Sequence, residues 1–158
     1  MQRTGDDCDA SRSGPGPTAT EVVAGVIVRD GHVLACQRRP EAEHAGKREF
    51  PGGKGEPGES LPQALRRELQ EELAIDATVG KLLWRTTCLH PERLPIVLFF
   101  FLIDEYAGLL VNRQFAAVRW ARLGTLSALD WLDGDRKFVA WLEARAARRS
   151  LLGLRLGA

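Results

Sequence analysis

The stretch GKGEPGESLPQALRRELQEELAI (Gly53–Ile75) joins a glycine-rich loop to a predicted helix whose glutamates fall on its apolar side. At roughly 100° per residue, with Leu61 at zero, Leu65 falls at about 40°, Glu68 at about −20° and Glu72 at about 20°. Both carboxylates therefore lie on the stripe that the leucines define. Because a carboxylate that points into a protein needs a compensating cation, this pattern predicts a charged site beside the helix.

A third carboxylate, that of Glu71, falls at about −80° on the same helix. Three converging carboxylates would raise one another's pKa, and a hard divalent cation with oxygen ligands removes that conflict. Mg²⁺ is the expected ion, with Mn²⁺ as an alternative. The competing interpretation is an ordinary surface helix with an Arg67–Glu71 ion pair, in which Arg67 lies with Arg66, Gln63 and Gln70 on a solvated face.

The spacing of the polar residues in this stretch resembles the Nudix box. Gly53, Glu59 and the run from Arg67 to Glu72 occupy its nearly fixed positions, whereas Ala74 stands where the family usually has glycine. The resemblance extends over about residues 20–147 and is closest to the MutT-type subfamily. It is carried outside the box by GVIVRDGHVLACQRR (25–39), EHAGKREFPGGK (43–54) and LDWLDGDRKFV (129–139).

This resemblance implies an α/β (α+β) fold, the Nudix α/β/α sandwich with a mixed curved sheet. It also implies an Mg²⁺-dependent enzyme that hydrolyses nucleoside triphosphates to the monophosphate and pyrophosphate. The first candidate substrate is 8-oxo-dGTP, which would place the enzyme in nucleotide-pool sanitation and DNA repair. CTP or dCTP is the alternative. A non-catalytic Nudix binding module is a third hypothesis, which the intact glutamates disfavour.

The resemblance assigns roles to individual residues of the box. Glu68 is the expected general base and Glu72 the leading metal ligand. Together with Glu68 and Glu72, Glu71 and the carbonyl of Gly52 form the expected metal site. An ion pair between Arg67 and Glu59 is expected to tie the helix to the glycine loop at Gly53, so that these residues support the site without touching substrate.

The resemblance also implies a set of substrate-binding residues, namely Arg39, His44, Glu49, Phe50, Pro51, Gly52, Lys54 and Asp135. Two of them have strong competing interpretations, because His44 could be an exposed loop residue and Phe50 an ordinary core residue. Asp135 is expected to read the base edge, or alternatively to cap a helix. Lys54 and the amides of the loop 52–58 are expected to meet phosphate. Gln114 stands where the family often has a glutamate that binds metal.

Composition bounds the partners of the chain. The 158 residues are 44% hydrophobic and 27% charged, which is typical of one globular domain, and the net charge of +1 gives no general attraction for nucleic acid polymers or membranes. The charge therefore argues against a nucleic acid polymer or a membrane as partner, and the resemblance implies a nucleoside triphosphate. A monomer or homodimer is expected. A nucleic-acid contact by Arg145, Arg148, Arg149 and Arg155 is the alternative to a solvated helix face. Three cysteines without C-x-x-C spacing favour the cytoplasm.

The order of predicted elements follows from periodicity and turn residues. Residues 1–19 are predicted to be a disordered leader and residues 20–158 the Nudix domain. Strands 22–28 and 33–37 are predicted to form a hairpin at Asp30-Gly31, followed by a short strand at 49–51. The box helix is predicted at about 61–73, with Ser60 as its N-cap. Further strands are predicted at 77–89, 96–104 and 116–121, and a last helix at 135–147.

Overall fold

The computed structural model of the chain describes residues 18–148. The predicted leader therefore lies almost entirely outside the described residues. The elements, in chain order, are β1 (Thr20–Val26), β2 (Val28–Arg29), β3 (His32–Gln37), β4 (Arg48–Glu49), β5 (Gly52–Lys54), α1 (Leu61–Leu73), β6 (Asp76–His90), β7 (Arg93–Ala107), β8 (Ala117–Arg122), a 3-10 helix (Leu123–Ala128) and α2 (Asp133–Ala147).

The strands form two sheets of four. One has the order β5-β1-β7-β6, in which β1 and β7 are parallel and the other neighbours antiparallel. The other has β3 at its centre, paired with β2, β4 and β8, all antiparallel. The mixed sheet predicted from the sequence is therefore present.

Alternate residues of β1 enter two different hydrophobic cores, because side chains alternate between the faces of a strand. Val23 packs in the core that contains Leu65 and Leu69 of α1. Ala24, one residue on, packs in the core that contains Phe138 of α2. The sheet is thus covered by one helix on each face, and the predicted α/β/α sandwich is confirmed.

The first predicted hairpin is partly wrong. Its turn is correct, since Asp30 and Gly31 have φ of 48° and 74°, the left-handed pair that a tight hairpin needs. However, the predicted strand 22–28 is broken near Ile27 into β1 and β2, which belong to different sheets. Continuous apolar sequence does not reveal such a change of partner.

Helix α1 begins and ends at the predicted residues. The Ser60 side chain accepts from the Gln63 amide, and the Gln63 side chain accepts from the Ser60 amide, which forms a capping box. At the other end Ala74 adopts the left-handed conformation with φ of 59°, where the family usually has glycine. An alanine there costs on the order of 1 kcal/mol of stability and leaves the site unchanged.

The remaining boundaries differ from the prediction by a few residues. Helix α2 begins at Asp133, two residues early, and the strands β6 and β7 are longer than predicted. The 3-10 helix was missed altogether. It supports α2, and its Leu126 carbonyl accepts a hydrogen bond of 2.8 Å from the Trp131 indole. Within residues 18–148, no helix is long and apolar enough to cross a membrane.

Candidate active site

Glu72 is a largely buried carboxylate at the C-terminal end of α1. Its Oε2 accepts a hydrogen bond of 2.9 Å from the Gly52 amide. Burial raises its pKa to about 8, and the charges of Glu68, Glu49 and Glu71 add to the effect, while the Gly52 amide opposes it. No described cation lies within ion-pair distance of Glu72. At neutral pH this pKa favours the protonated carboxyl group, and a bound cation that took the place of the proton would stabilise the carboxylate form.

Glu68 lies one turn before Glu72 and faces the same side. Its side chain is 15% exposed, and its Oε1 accepts 2.9 Å from the Arg67 guanidinium. The carboxylate rests on the backbone of Gly53, where an added Cβ would come within 2.6 Å of it. The predicted inward direction of both glutamates is therefore found in the structure.

Glu71 differs from these two glutamates, because its side chain is 58% exposed. Its one ionic contact is with Arg67, at 3.5 Å, which is the i,i+4 pair of the competing interpretation. Both interpretations of the helix thus hold in part. Glu72 and Glu68 are largely buried on one side of the helix, whereas Glu71 is mostly exposed.

Arg67 is the centre of the network that joins α1 to the glycine loop. It binds both carboxylate oxygens of Glu59, at 2.7 and 3.0 Å, and the carbonyl of Lys54 at 3.0 Å. The pair lowers the pKa of Glu59. The predicted ion pair is present, but Arg67 does not lie on a solvated face as its angle suggested, because it is folded back onto the loop.

Gly52 and Gly53 permit a close approach of strands and carboxylates. At Gly52, φ is 148° and an added Cβ would meet the Val23 carbonyl oxygen at 2.0 Å, so no other residue fits. The Gly52 amide serves Glu72, and Gly53 pairs with Val23 in the sheet. The predicted glycine turn over residues 52–58 is therefore partly wrong, because residues 52–54 form strand β5 and the turn is confined to residues 57 and 58.

A cleft of about 320 Å³ lies between α1, β5 and the loop 38–47. Its lining includes four residues of the predicted site, namely Arg39, Glu49, Gly52 and Glu72, together with Gln114. Four further lining residues were not predicted, namely Arg38, Glu41, Ala42 and Phe115. Only Arg38, as half of a basic doublet before a loop, carried a recognisable signal.

Five residues of the predicted substrate set are absent from the lining of this cleft, namely His44, Phe50, Pro51, Lys54 and Asp135. Phe50 is 4% exposed and stacks on Trp131 at 4.8 Å between ring centroids, so the core interpretation is correct. Pro51 is also buried, with its carbonyl bonded to the Gly25 amide. The aromatic wall expected from Phe50 is therefore part of the α2 core.

His44 and Lys54 are surface residues in this structure. His44 has a left-handed φ of 58° at the tip of its loop and lies 3.6 Å from Glu43, which supports the exposed interpretation. Lys54 is exposed at the end of β5, outside the cleft lining. Arg39 is exposed at the cleft, with one long hydrogen bond of 3.4 Å to the Arg113 carbonyl, so its guanidinium is available to a phosphate.

Asp135 is the one buried charged residue among the described residues, at 6% exposure. Burial raises its pKa to about 7, Glu49 adds to the rise, and Phe50 and Arg38 oppose it. It is not the helix cap, since Leu132 holds that position and Asp135 lies in the first turn of α2. The capping interpretation is therefore wrong.

The fit of a metal ion is only partial in the described residues. No group of three or more His, Cys, Asp or Glu side chains is arranged there as a ready cation site. Glu72 and Glu68 nevertheless supply hard oxygen donors at the cleft, and Mg²⁺ is usually held by one or two carboxylates together with substrate phosphates. The donor set thus fits an ion that binds with a nucleotide.

A larger groove, of about 610 Å³, lies on the opposite side of α1. Its charged groups are Glu105 and the Arg66–Asp76 pair, whose shortest contact is 2.7 Å. Because that pair is mutually neutralised and exposed, the groove offers no unpaired charge for a phosphate. The smaller cleft is therefore the candidate active site.

Comparison with known proteins identifies the family of the chain. The NUDIX domain family matches residues 19–142. The 8-oxo-dGTP diphosphatase of Haemophilus influenzae is 33% identical over 120 residues, which cover 75% of this chain and 88% of that protein. The CTP pyrophosphohydrolase of Escherichia coli (strain K12) is 59% identical over 61 residues, 39% of this chain. That match spans only 45% of the relative's length.

The solution structure of the Escherichia coli ORF135 protein superimposes with a TM-score of 0.75 at 36% identity, over 86% of this chain and 98% of that one. A MutT Nudix hydrolase from Burkholderia pseudomallei gives a TM-score of 0.69 at 25% identity, over 77% and 96%. With the family match over most of the chain and the sandwich fold in common, this chain belongs to the Nudix family and is a MutT-like Nudix hydrolase.

Proposed function

We propose that the chain is an Mg²⁺-dependent nucleoside triphosphate pyrophosphohydrolase that releases a monophosphate and pyrophosphate. One observation carries the proposal: Glu72 and Arg39 line the same cleft, and Glu68 lies close enough to Glu72 for its charge to raise the pKa of Glu72. Carboxylates and an available guanidinium on one cleft suit a metal-bound polyphosphate.

Glu72 and Glu68 are the proposed protein ligands of the ion, with the Gly52 carbonyl beside them. The donor hydrogen bond from the Gly52 amide fixes one oxygen of Glu72 and leaves the other for the ion. When bound, Mg²⁺ would neutralise the polyphosphate and lower the pKa of a bound water. Glu71, which is mostly exposed, is expected to contribute less than the other two glutamates.

Glu68 is the proposed general base. Within the described residues its Oε2 accepts no hydrogen bond, while Arg67 holds Oε1. The base takes a proton from the attacking water, whose oxygen forms a new bond to the β-phosphorus. The bond from that phosphorus to the α–β bridging oxygen breaks, and the nucleoside monophosphate leaves. Arg39 is the proposed phosphate contact.

Two nucleobases match the hydrogen-bonding groups of Asp135. An ionised aspartate only accepts hydrogen bonds, but a pKa of about 7 gives Asp135 both protonation states at neutral pH. A protonated carboxyl group both donates and accepts, as an amide does. That pair of functions matches the amino group and ring nitrogen of cytosine, and also the N7–H and O6 of 8-oxoguanine.

The first proposed substrate remains 8-oxo-dGTP, which gives the enzyme a role in nucleotide-pool sanitation and DNA repair. The similarity of this chain to 8-oxo-dGTP diphosphatases over about three quarters of its length supports that choice. CTP or dCTP is the second candidate, and the higher identity to a CTP pyrophosphohydrolase over a shorter segment favours it.

A panel of triphosphates tests the proposal. Pyrophosphate release is measured for 8-oxo-dGTP, dGTP, CTP and dCTP, with and without Mg²⁺, for the wild type and for Asp135→Asn and Asp135→Leu. We expect Mg²⁺-dependent release, retained in the asparagine variant and reduced by on the order of tenfold or more in the leucine variant. No release from any of the four would refute the proposed activity, and preference for CTP or dCTP would replace the first substrate by the second.

A further inference from the structure

Arg38 is the cleft residue with the most bonds to its surroundings. Its Nη1 donates to Glu49 Oε2 at 2.8 Å, and its Nε donates to the carbonyl of Glu43 at 2.6 Å. Its own amide donates to the Lys47 carbonyl at 3.0 Å, and its carbonyl accepts from the Gly46 amide at 3.2 Å. Arg38 is therefore hydrogen-bonded to the middle and the end of the loop 38–47, which begins at Arg38 itself, and to strand β4 that follows the loop.

Glu49 is the side chain that this arrangement fixes. It is half-buried, and it lies close enough to both Glu72 and Asp135 that its charge raises the pKa of each. It therefore lies near both Glu72 and Asp135, and it lines the cleft. Arg38 binds Oε2, and within the described residues the other oxygen of Glu49 accepts no hydrogen bond.

The neighbouring Arg39 shows the opposite behaviour. Its guanidinium is exposed and makes one hydrogen bond, of 3.4 Å, to a backbone carbonyl. The two arginines therefore differ in their hydrogen bonding. The Arg38 guanidinium donates to two protein groups, whereas most N–H groups of Arg39 donate to no described residue. A bidentate or forked arrangement of this kind is one that lysine cannot reproduce.

We infer that Arg38 is a positioning residue, which holds Glu49 and the loop 38–47 in place at the middle of the cleft and does not itself bind the polyphosphate. The inference rests on the proposed function, because it concerns the same cleft. Loss of Arg38 frees the Glu49 carboxylate and the loop together. The nucleoside part of the substrate then loses its fixed partner, while the phosphate contacts remain.

The test compares variants of the two arginines with a matched control. The wild type is compared with Arg38→Gln, Arg38→Lys, Arg39→Gln and Arg66→Gln. Arg66 is the control, because it binds a carboxylate, as Arg38 does, but lies outside the cleft. Kd is measured for the α,β-methylene analogues of CTP and 8-oxo-dGTP, and KM, kcat and inhibition by inorganic pyrophosphate are measured for the preferred triphosphate.

We expect Arg38→Gln to raise KM and the analogue Kd by about 10–100-fold, the loss typical of a supporting residue, with little change in pyrophosphate inhibition. Arg38→Lys should fall between this variant and the wild type. Arg39→Gln should weaken pyrophosphate inhibition, and Arg66→Gln should match the wild type. Glu49→Gln combined with Arg38→Gln should be no worse than the more damaging single change, because both act through one contact.

The inference would be overturned if Arg38→Gln bound the analogues with wild-type affinity. It would also be overturned if Arg38→Gln weakened pyrophosphate inhibition and its effect on the analogue Kd added to that of Glu49→Gln. If Arg38→Gln does not fold, Arg38→Lys decides by the same criteria. Analogue binding without wild-type turnover would refute the proposed function alone, since the Kd comparison among variants would still test Arg38.

Discussion

Three glutamates on one helix are given different properties by their surroundings. Glu72 is buried beside the Gly52 amide and its pKa is raised to about 8. Glu68 is held by Arg67 against a glycine backbone, and Glu71 is mostly exposed. Since one residue type occupies all three positions, their roles follow from burial and hydrogen bonding, which the spacing in the sequence could only indicate.

Glu68→Gln tests the proposed base at this scale. The amide keeps the size of the side chain and its contact with Arg67, but it cannot accept a proton from water. We expect kcat to fall by about 10²–10⁴-fold while the melting temperature changes little. Glu71→Gln should reduce kcat by less than about tenfold, given its exposed position. Glu105→Gln, beside the remote groove, is the control, and full activity of Glu68→Gln would refute the assignment.

At the scale of elements, strand β5 determines how closely the helix approaches the sheet. Its two glycines pair with β1, and the carboxylate of Glu68 rests on the second of them. Behind the helix, the Glu72 and Leu73 carbonyls accept from the Arg113 and Val111 amides, so the loop that carries Gln114 closes the helix end. The carboxylates are thus fixed from both sides.

Gly53→Ala tests this contact without straining the backbone, because no left-handed φ is required at this position. The added Cβ would lie 2.6 Å from the Glu68 carboxylate and must displace it. We expect kcat to fall by about 10²-fold, since a displacement of about 1 Å is sufficient for such a loss. Steady-state kinetics of the variant measure this.

Gly55→Ala is the matched control for that variant. It lies two residues further along the chain, just after β5, and an added Cβ there meets nothing within 4 Å. Its kinetics should equal those of the wild type. Equal losses in both variants would mean that the loop, and not the position of Glu68, limits catalysis.

Periodicity and turn residues predicted the elements well wherever local chemistry decides them. The box helix, its Ser60 cap and the Asp30-Gly31 turn are where the sequence indicated. The errors concern long-range partners. Whether residues 52–54 are loop or strand depends on β1, and whether Phe50 faces a ligand or the core depends on α2, neither of which local sequence reveals.

The same division applies to the site residues. Inward-facing Glu68 and Glu72 follow from helical spacing, whereas Glu41 and Phe115 enter the cleft only because the chain folds two loops together. As half of a basic doublet at the end of a strand, Arg38 has the sequence context of an ordinary surface charge. Its role is visible only through the carbonyl of Glu43 and the carboxylate of Glu49, which no spacing rule connects to it.

At the scale of the whole molecule, folding buries two carboxyl groups, those of Glu72 and Asp135, in surroundings of low polarity. Glu72 has its pKa raised from 4.5 to about 8, and Asp135 from 3.8 to about 7. Both groups therefore bind protons more tightly in the folded chain than in the unfolded chain. Such groups stabilise the fold below their unfolded pKa, and that stability is lost as the pH rises through the folded pKa.

We accordingly expect the metal-free protein to become less stable between about pH 4.5 and pH 8, with at most about 1.4 kcal/mol lost per pH unit for each group. Urea unfolding at several pH values measures the slope. Glu72→Gln should remove its share of that slope, because the amide does not titrate. An identical slope in this variant and in the wild type would show that Glu72 has an ordinary pKa.

The most direct measurement is of divalent-ion binding by the cleft itself. Mn²⁺ is titrated into the wild type, Glu72→Gln, Glu68→Gln and Glu105→Gln, each saturated with an α,β-methylene nucleotide, and free Mn²⁺ is followed by electron paramagnetic resonance. We expect the two cleft variants to bind Mn²⁺ at least about tenfold more weakly than the wild type, and Glu105→Gln to bind it equally well. Undiminished Mn²⁺ affinity in both Glu72→Gln and Glu68→Gln would contradict a metal site built on these glutamates.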